Sequence, residues 1–224
     1  MLYSLARLVL APMLRLIYQP VVRGRGNVPR RGPVILASNH LSFIDSIVIA
    51  LLAPRPVHFL AKDEYFTGTG LKGALTRCFF TAFGCIPVDR RAHRSAQASL
   101  DAAEQILVSG RAFGIYPEGT RSPDGRLYRG RTGVAWLALT TGTPVIPVAL
   151  TGTERLQPLG RRLPRYHRIT VEFGTPLHCA KPHATVRPAQ ARRVTTDKIV
   201  QAIGDMSGQE YAQVYGRTPE TSAH

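Results

Sequence analysis

Acidic residues are scarce in this chain: 14 Asp and Glu stand against 29 Lys and Arg, a formal charge of +15 over 224 residues. Such an excess implies an anionic partner: nucleic acid, an anionic membrane face or a phosphorylated small molecule. Aromatic residues make up only 8%, the basic residues are scattered, and no recognition motif is present, which argues against nucleic acid. Cysteine is nearly absent. Cys78, Cys85 and Cys179 are odd in number and form no CxxC pair, so neither a disulfide framework nor a thiolate zinc site is expected, and a reducing, cytoplasmic setting follows. Also missing are an unbroken apolar run of about 20 residues, a GxSxG elbow, an HExxH pair and a GxxxxGK[ST] loop.

The N-terminal stretch MLYSLARLVLAPMLRLIYQP has no basic lead, and Arg7, Pro12 and Arg15 interrupt it, so it does not read as a secretory signal. Its apolar residues recur near helical spacing. We read a helix, or two short helices hinged near Pro12, lying in a membrane interface with Arg7 and Arg15 reaching toward headgroups. The alternative is an ordinary amphipathic helix docked on the domain.

Beyond residue 33, short apolar runs alternate with helical patterns. Strands are expected at 33–38, 56–61, 83–88, 113–116, 144–150 and 169–173, and helices at 43–52, 71–81, 92–109, 133–141 and within 186–203. This alternation predicts an α/β fold, with a largely parallel central sheet covered by helices. The expected division is an interfacial segment at 1–23, a domain at 24–205 and a polar, disordered tail at 206–224. A GxGxxG run at Gly68–Gly73 does not directly follow a strand, so it is read as a helix start and not as a dinucleotide loop.

Four stretches carry chemistry. In NHLSFID, His40 and Asp45 follow an expected strand, at the carboxyl end where ligands bind in open α/β sheets. A carboxylate on one imidazole nitrogen would leave the other free as a base. Equally, Ser42 and Asp45 fit a capping box, in which Asp45 only satisfies a backbone N–H; both readings stand. In YPEGTRS, Gly119 suits a tight turn and Glu118 can pair with Arg121. VDRR places Arg90 after a strand, and VIPVAL is an apolar strand carrying a proline. Cys85, inside an apolar run, reads as a buried, inert thiol.

Together and in this order, these stretches resemble the 1-acylglycerol-3-phosphate acyltransferase family. NHLSFID matches its NHxxxxD block, VDRR its second, YPEGTRS its third and VIPVAL its fourth. The resemblance implies transfer of a fatty acyl group from acyl-CoA or acyl carrier protein to a lysophospholipid acceptor, with no bound cofactor or metal. It implies His40 as general base and Asp45 as its orienting carboxylate. It also implies Arg121, Arg90 and Lys62 as phosphate contacts, and Glu118 and Gly119 as the acceptor-binding turn, with Glu118 positioning the acceptor hydroxyl or fixing Arg121. The expected product is phosphatidic acid, made from lysophosphatidic acid on the cytoplasmic face of a membrane by a peripheral or monotopic enzyme drawn to anionic lipid. Glycerol-3-phosphate, another lysophospholipid or a glycolipid are alternative acceptors. A non-catalytic basic membrane- or nucleic-acid-binding protein is the rival class, and it would have no use for a His–Asp pair.

Overall fold

The computed structural model describes residues 2–88, 95–158, 160–161, 163–179 and 186–216. In chain order the elements are α1 (Leu2–Tyr18), β1 (Val21–Arg23), β2 (Val34–Ser38), α2 (Asp45–Leu52), β3 (Val57–Lys62), α3 (Glu64–Thr67), α4 (Gly70–Ala82), β4 (Cys85–Val88), α5 (Ser95–Val108), β5 (Ala112–Ile115), β6 (Leu127–Tyr128), α6 (Gly133–Thr141), β7 (Val145–Thr151), α7 (Thr153–Leu156), β8 (Thr170–Phe173), α8 (Pro188–Ser207) and β9 (Tyr211–Ala212). Seven strands form the central sheet in the order β1-β8-β7-β2-β5-β3-β4. Every neighbour pair is parallel except β7 and β8. The expected α/β architecture, a mostly parallel sheet flanked by helices, is the one found.

Strand alternation builds the core. Along β2, Val34 and Leu36 point to one face, where they meet α2. Ile35 and Ala37 point to the other, where α5, α6 and α8 supply Ile106, Leu137 and Ile199. Both faces of the strand are covered, so VILAS is fully buried and its first four residues read as a continuous apolar run, as buried parallel strands do. Each large aliphatic side chain so buried contributes about 1.5–3 kcal/mol.

Of the two forms expected for the N-terminal segment, the single helix is found: it runs through Pro12 and ends at Tyr18. Two features differ from the sequence reading. Residues 21–23, read as part of that segment, form edge strand β1 beside β8, so the domain begins earlier than residue 24. Residues 206–216, read as tail, complete α8 and then pair as β9 with β6; residues 217–224 lie outside the described residues. The GxGxxG run starts α4 at Gly70, as expected. A Cβ on Gly73 would stand 2.0 Å from the Gly68 carbonyl oxygen, so that glycine serves tight backbone packing.

Helix α1 is docked on the domain, as the second reading has it, and keeps an apolar side exposed. It docks through Tyr3, Leu10, Ala11 and Leu14, yet leaves Leu5, Leu8, Val9, Met13, Leu16 and Ile17 exposed. Arg7 does not reach outward: its guanidinium donates to the Ala53 carbonyl. No described helix is long and apolar enough to cross a membrane.

Candidate active site

Strands β2 and β5 run side by side, with Ala37 opposite Ile115, and β3 lies on the far side of β5. Their parallel direction delivers three loops to one edge of the sheet: residues 39–44 after β2, residues 116–126 after β5, and Lys62 at the end of β3. The chain passes from β2 to β3 over the intervening β5, the kind of strand crossover that opens a crevice at the carboxyl edge.

His40 and Asp45 meet there. Asp45 Oδ2 lies 2.9 Å from His40 Nδ1 and also accepts the backbone N–H groups of Leu41 at 2.7 Å and Ser42 at 2.8 Å. One oxygen thus holds both the turn and the imidazole, while Ser42 Oγ donates to the Gln157 carbonyl instead of completing a capping box. Because a carboxylate only accepts, Nδ1 carries the proton and the lone pair sits on Nε2. The ring plane is fixed by Tyr116, stacked at 3.8 Å between centroids and 9° between planes. Tyr116 is itself held by a 2.8 Å hydrogen bond between its hydroxyl and that of Ser46. Burial and the nearby Asp45 charge raise the Tyr116 phenol well above its ordinary value, so it stays neutral.

Asn39 acts as an extra rung of the sheet. Its side-chain amide donates to the Leu150 carbonyl at 2.9 Å and accepts the Leu150 N–H at 2.8 Å, which prolongs the pairing of β2 with β7 and fixes where His40 emerges.

Glu118 corrects an expectation. It is buried and, among the described residues, pairs with no arginine. Oε1 accepts the His40 backbone N–H at 2.9 Å and Oε2 accepts that of Tyr128 at 2.9 Å. The Ser122 N–H in turn donates to the His40 carbonyl at 2.8 Å. Glu118 thus ties the histidine loop to the loop after β5, with both oxygens occupied by backbone. Burial, partly offset by these two hydrogen bonds, pushes its carboxyl up to about 7.

A cavity of about 650 Å³ opens beside His40, within the range of about 300–1,000 Å³ usual for ligand sites. Lys62, Gly119 and Arg121 line it, as does Arg131, which the sequence reading missed. Arg121 has no acidic partner among the described residues, which leaves its charge available. Gly119 adopts φ +75°, and a Cβ there would stand 2.8 Å from Arg131 Nε, so the glycine makes room for that side chain. Arg90 lies outside the described residues. The remaining wall is mostly apolar and aromatic, with Phe59, Phe80, Phe83, Leu100, Phe113 and Leu137 prominent. Cys85 belongs to it, and burial pushes its thiol up to about 12, so it carries no thiolate at neutral pH. Among the described residues no cluster could hold a metal ion.

The family profile described as Acyltransferase matches residues 19–151, more than half of the chain. The chain belongs to the acyltransferase family. It is 33% identical over 134 residues to a 1-acyl-sn-glycerol-3-phosphate acyltransferase of Borreliella burgdorferi, over 60% of this chain and 52% of the relative. It is 28% identical over 177 residues to a chloroplastic 1-acyl-sn-glycerol-3-phosphate acyltransferase of Arabidopsis thaliana, over 78% of this chain and 48% of the relative. The chain thus spans about half the length of these curated relatives. Among solved structures, the 1-acyl-sn-glycerophosphate acyltransferase PlsC of Thermotoga maritima superposes with a TM-score of 0.64 at 25% identity, over 91% of this chain and 82% of the other. The acyltransferase match takes in His40, Asp45, Lys62, Glu118, Arg121 and Arg131 but ends before α8 and β9.

Proposed function

We propose that the chain is an acyltransferase that moves a fatty acyl group from a thioester, on coenzyme A or acyl carrier protein, to the sn-2 hydroxyl of lysophosphatidic acid, giving phosphatidic acid. One observation carries this reading. A histidine oriented by a buried carboxylate opens on the same cavity as Arg121, Lys62 and Arg131, and most of the remaining lining is apolar or aromatic. The names borne by the relatives agree with it.

In this mechanism His40 Nε2 accepts the proton of the acceptor hydroxyl as its oxygen attacks the thioester carbonyl. The new C–O bond forms, the C–S bond breaks, and the thiolate leaves to take the proton back from the imidazolium. Asp45 keeps the Nδ1–H tautomer and stabilises the cationic ring in between. No enzyme nucleophile takes part, in keeping with a Cys85 that stays protonated. The cations grip the acceptor phosphate, for which the planar arginine fork is suited. The apolar wall receives an acyl chain. The direct test is acyl transfer by the purified chain, using acyl-CoA and acyl carrier protein donors and lysophosphatidic acid, glycerol-3-phosphate and a lysophospholipid with another headgroup as acceptors. Transfer to none of them would defeat the proposal.

Arg121→Ala should raise KM for lysophosphatidic acid about 10–100-fold, as expected for loss of a charge-assisted, two-pronged contact. The KM for acyl-CoA should stay within about twofold. A phosphate-free monoacylglycerol serves as control; equal losses with it would contradict the assigned role.

We also propose that the chain works on an anionic membrane surface. Leu8 (73% exposed) and Leu16 (79%) on α1 stand with Leu71 (79%) and Leu75 (63%) on α4 as bare apolar side chains. The two helices pack together. Neither contains an acidic residue, and each carries basic ones. Phe79 of α4 is both exposed and part of the cavity wall, so the apolar surface leads to the site. Replacing Leu8 and Leu75 together by glutamate should weaken co-sedimentation with anionic vesicles at least about tenfold, given the transfer energy of two leucines and the added negative charge. Unchanged sedimentation, with an intact circular dichroism spectrum, would rule this face out.

A further inference from the structure

The segment that follows α8 lies beyond the acyltransferase match, yet it runs across the loop that carries Arg121. Gln209 joins three parts of the molecule. Its Oε1 accepts from the Asn39 side chain at 2.7 Å, and its Nε2 donates to the Gly125 carbonyl at 2.6 Å. Asn39 immediately precedes His40, so this residue ties the histidine loop to the loop after β5 a second time, independently of Glu118. The segment then follows that loop by backbone pairing: the Leu127 N–H donates to Glu210 O at 2.9 Å and the Arg129 N–H to Val214 O at 3.0 Å. At its end Gly216 presses on Thr120, where a Cβ would stand 2.8 Å from the threonine methyl.

Tyr215 is the residue through which this segment touches the charged wall of the cavity. The guanidinium carbons of Arg129 and Arg131 lie 5.2 Å and 5.8 Å from its ring centroid, within cation–π range. Its hydroxyl accepts a 3.3 Å hydrogen bond from Arg193 of α8. Arg193 is itself fixed by the Gly130 carbonyl at 2.8 Å and by Asp197. A long arginine side chain on a surface loop samples many rotamers, and a ring packed against it removes much of that freedom. Arg131, which lines the cavity, is so restrained by contact with both Tyr215 and the backbone of Gly119.

We propose that residues 208–216 form a strap that shapes the acceptor side of the cavity, with Tyr215 as the positioning residue that aims Arg131 and Gln209 as the tie to the histidine loop. The inference rests on the acyl-transfer reading above, in which Arg131 faces the phosphate of the acceptor. It is tested in the full chain by steady-state kinetics of Tyr215→Ala, Tyr215→Phe, Arg131→Ala and the double variant Tyr215→Ala/Arg131→Ala, varying lysophosphatidic acid and acyl-CoA in turn. Tyr215→Ala should raise KM for lysophosphatidic acid about fivefold, the size of an ordinary cation–π contact, with kcat and the KM for acyl-CoA within about twofold. Tyr215→Phe keeps the ring and should stay near wild type. The decisive comparison is the cycle: in the Arg131→Ala background the tyrosine substitution should have no further effect on that KM. The same fold-change in both backgrounds, or no change in KM at all, would overturn the strap's role. If the wild-type chain itself transfers no acyl group, the functional reading has failed, which is a separate result.

Discussion

His40→Ala should lower kcat for acyl transfer by about a thousandfold, the middle of the range for a lost general base, while vesicle binding and thermal melting stay as in the wild type. The large effect and its selectivity share one cause. The ring contributes little to the core: it stands at a cavity wall, stacked on Tyr116 and bonded to Asp45. Its removal opens space at a solvent-reached site and leaves Asp45 Oδ2 with the two backbone donors that cap the turn. The loop therefore keeps its shape and loses only the proton acceptor. Asp45→Ala should behave differently, because the same oxygen serves both tasks. It should lose activity and also melt earlier, since two buried N–H groups lose their acceptor. An Asp45→Ala variant as stable as wild type would show that the carboxylate does not hold the turn. A His40→Ala variant with wild-type kcat would remove the imidazole from the chemistry.

Glu118→Ala should destabilise the fold by about 2–4 kcal/mol, since two backbone N–H groups in a buried setting lose a carboxylate partner. Activity should fall as well, because those donors belong to His40 and Tyr128 and set the distance between the two loops. The titration of this group gives a second, sharper signature. Its ordinary value is 4.5 and the folded chain raises it to about 7. Between those two pH values the folded state therefore binds a proton that the unfolded state has released. Stability must fall as pH rises through that window and level off above it. The full component is about 3–4 kcal/mol for a shift of this size. Glu118→Gln removes the titration, so its urea midpoint should change less between pH 5 and pH 8 than that of the wild type. Equal slopes for the two proteins would show that this carboxyl titrates normally in the fold.

What could be read ahead of the structure follows from how far each signal reaches along the chain. Strand β2 announced itself because both of its faces are buried, so no polar residue interrupts Val34–Ala37 before Ser38 and Asn39 end the run. His40 and Asp45 were legible because they sit five residues apart on one turn. Glu118 was misread for the complementary reason. Arg121 is its charged neighbour in sequence, but its actual partners are amides, one of them 78 positions away, and amides carry no side-chain label. β1, β6 and β9 are only two or three residues long, too short for any period to show. Residues 208–216 looked like tail because they are polar, yet their polarity is used by Asn39, Gly125 and the backbone of the loop they cross. Arg131 was hidden among 29 basic residues, and only the cavity singled it out.

Tyr3 gives the first helix an unusual kind of attachment. Its hydroxyl takes the N–H of Val57 at 2.9 Å and gives its proton to the carbonyl of the same residue at 3.1 Å, as a neighbouring strand would. The helix is thereby bolted to the start of the strand that ends in Lys62, and does not hang from a flexible tether. On the membrane placement proposed above, the height of His40 over the lipid would be set by this bolted contact, and a headgroup would meet the imidazole at a constant depth.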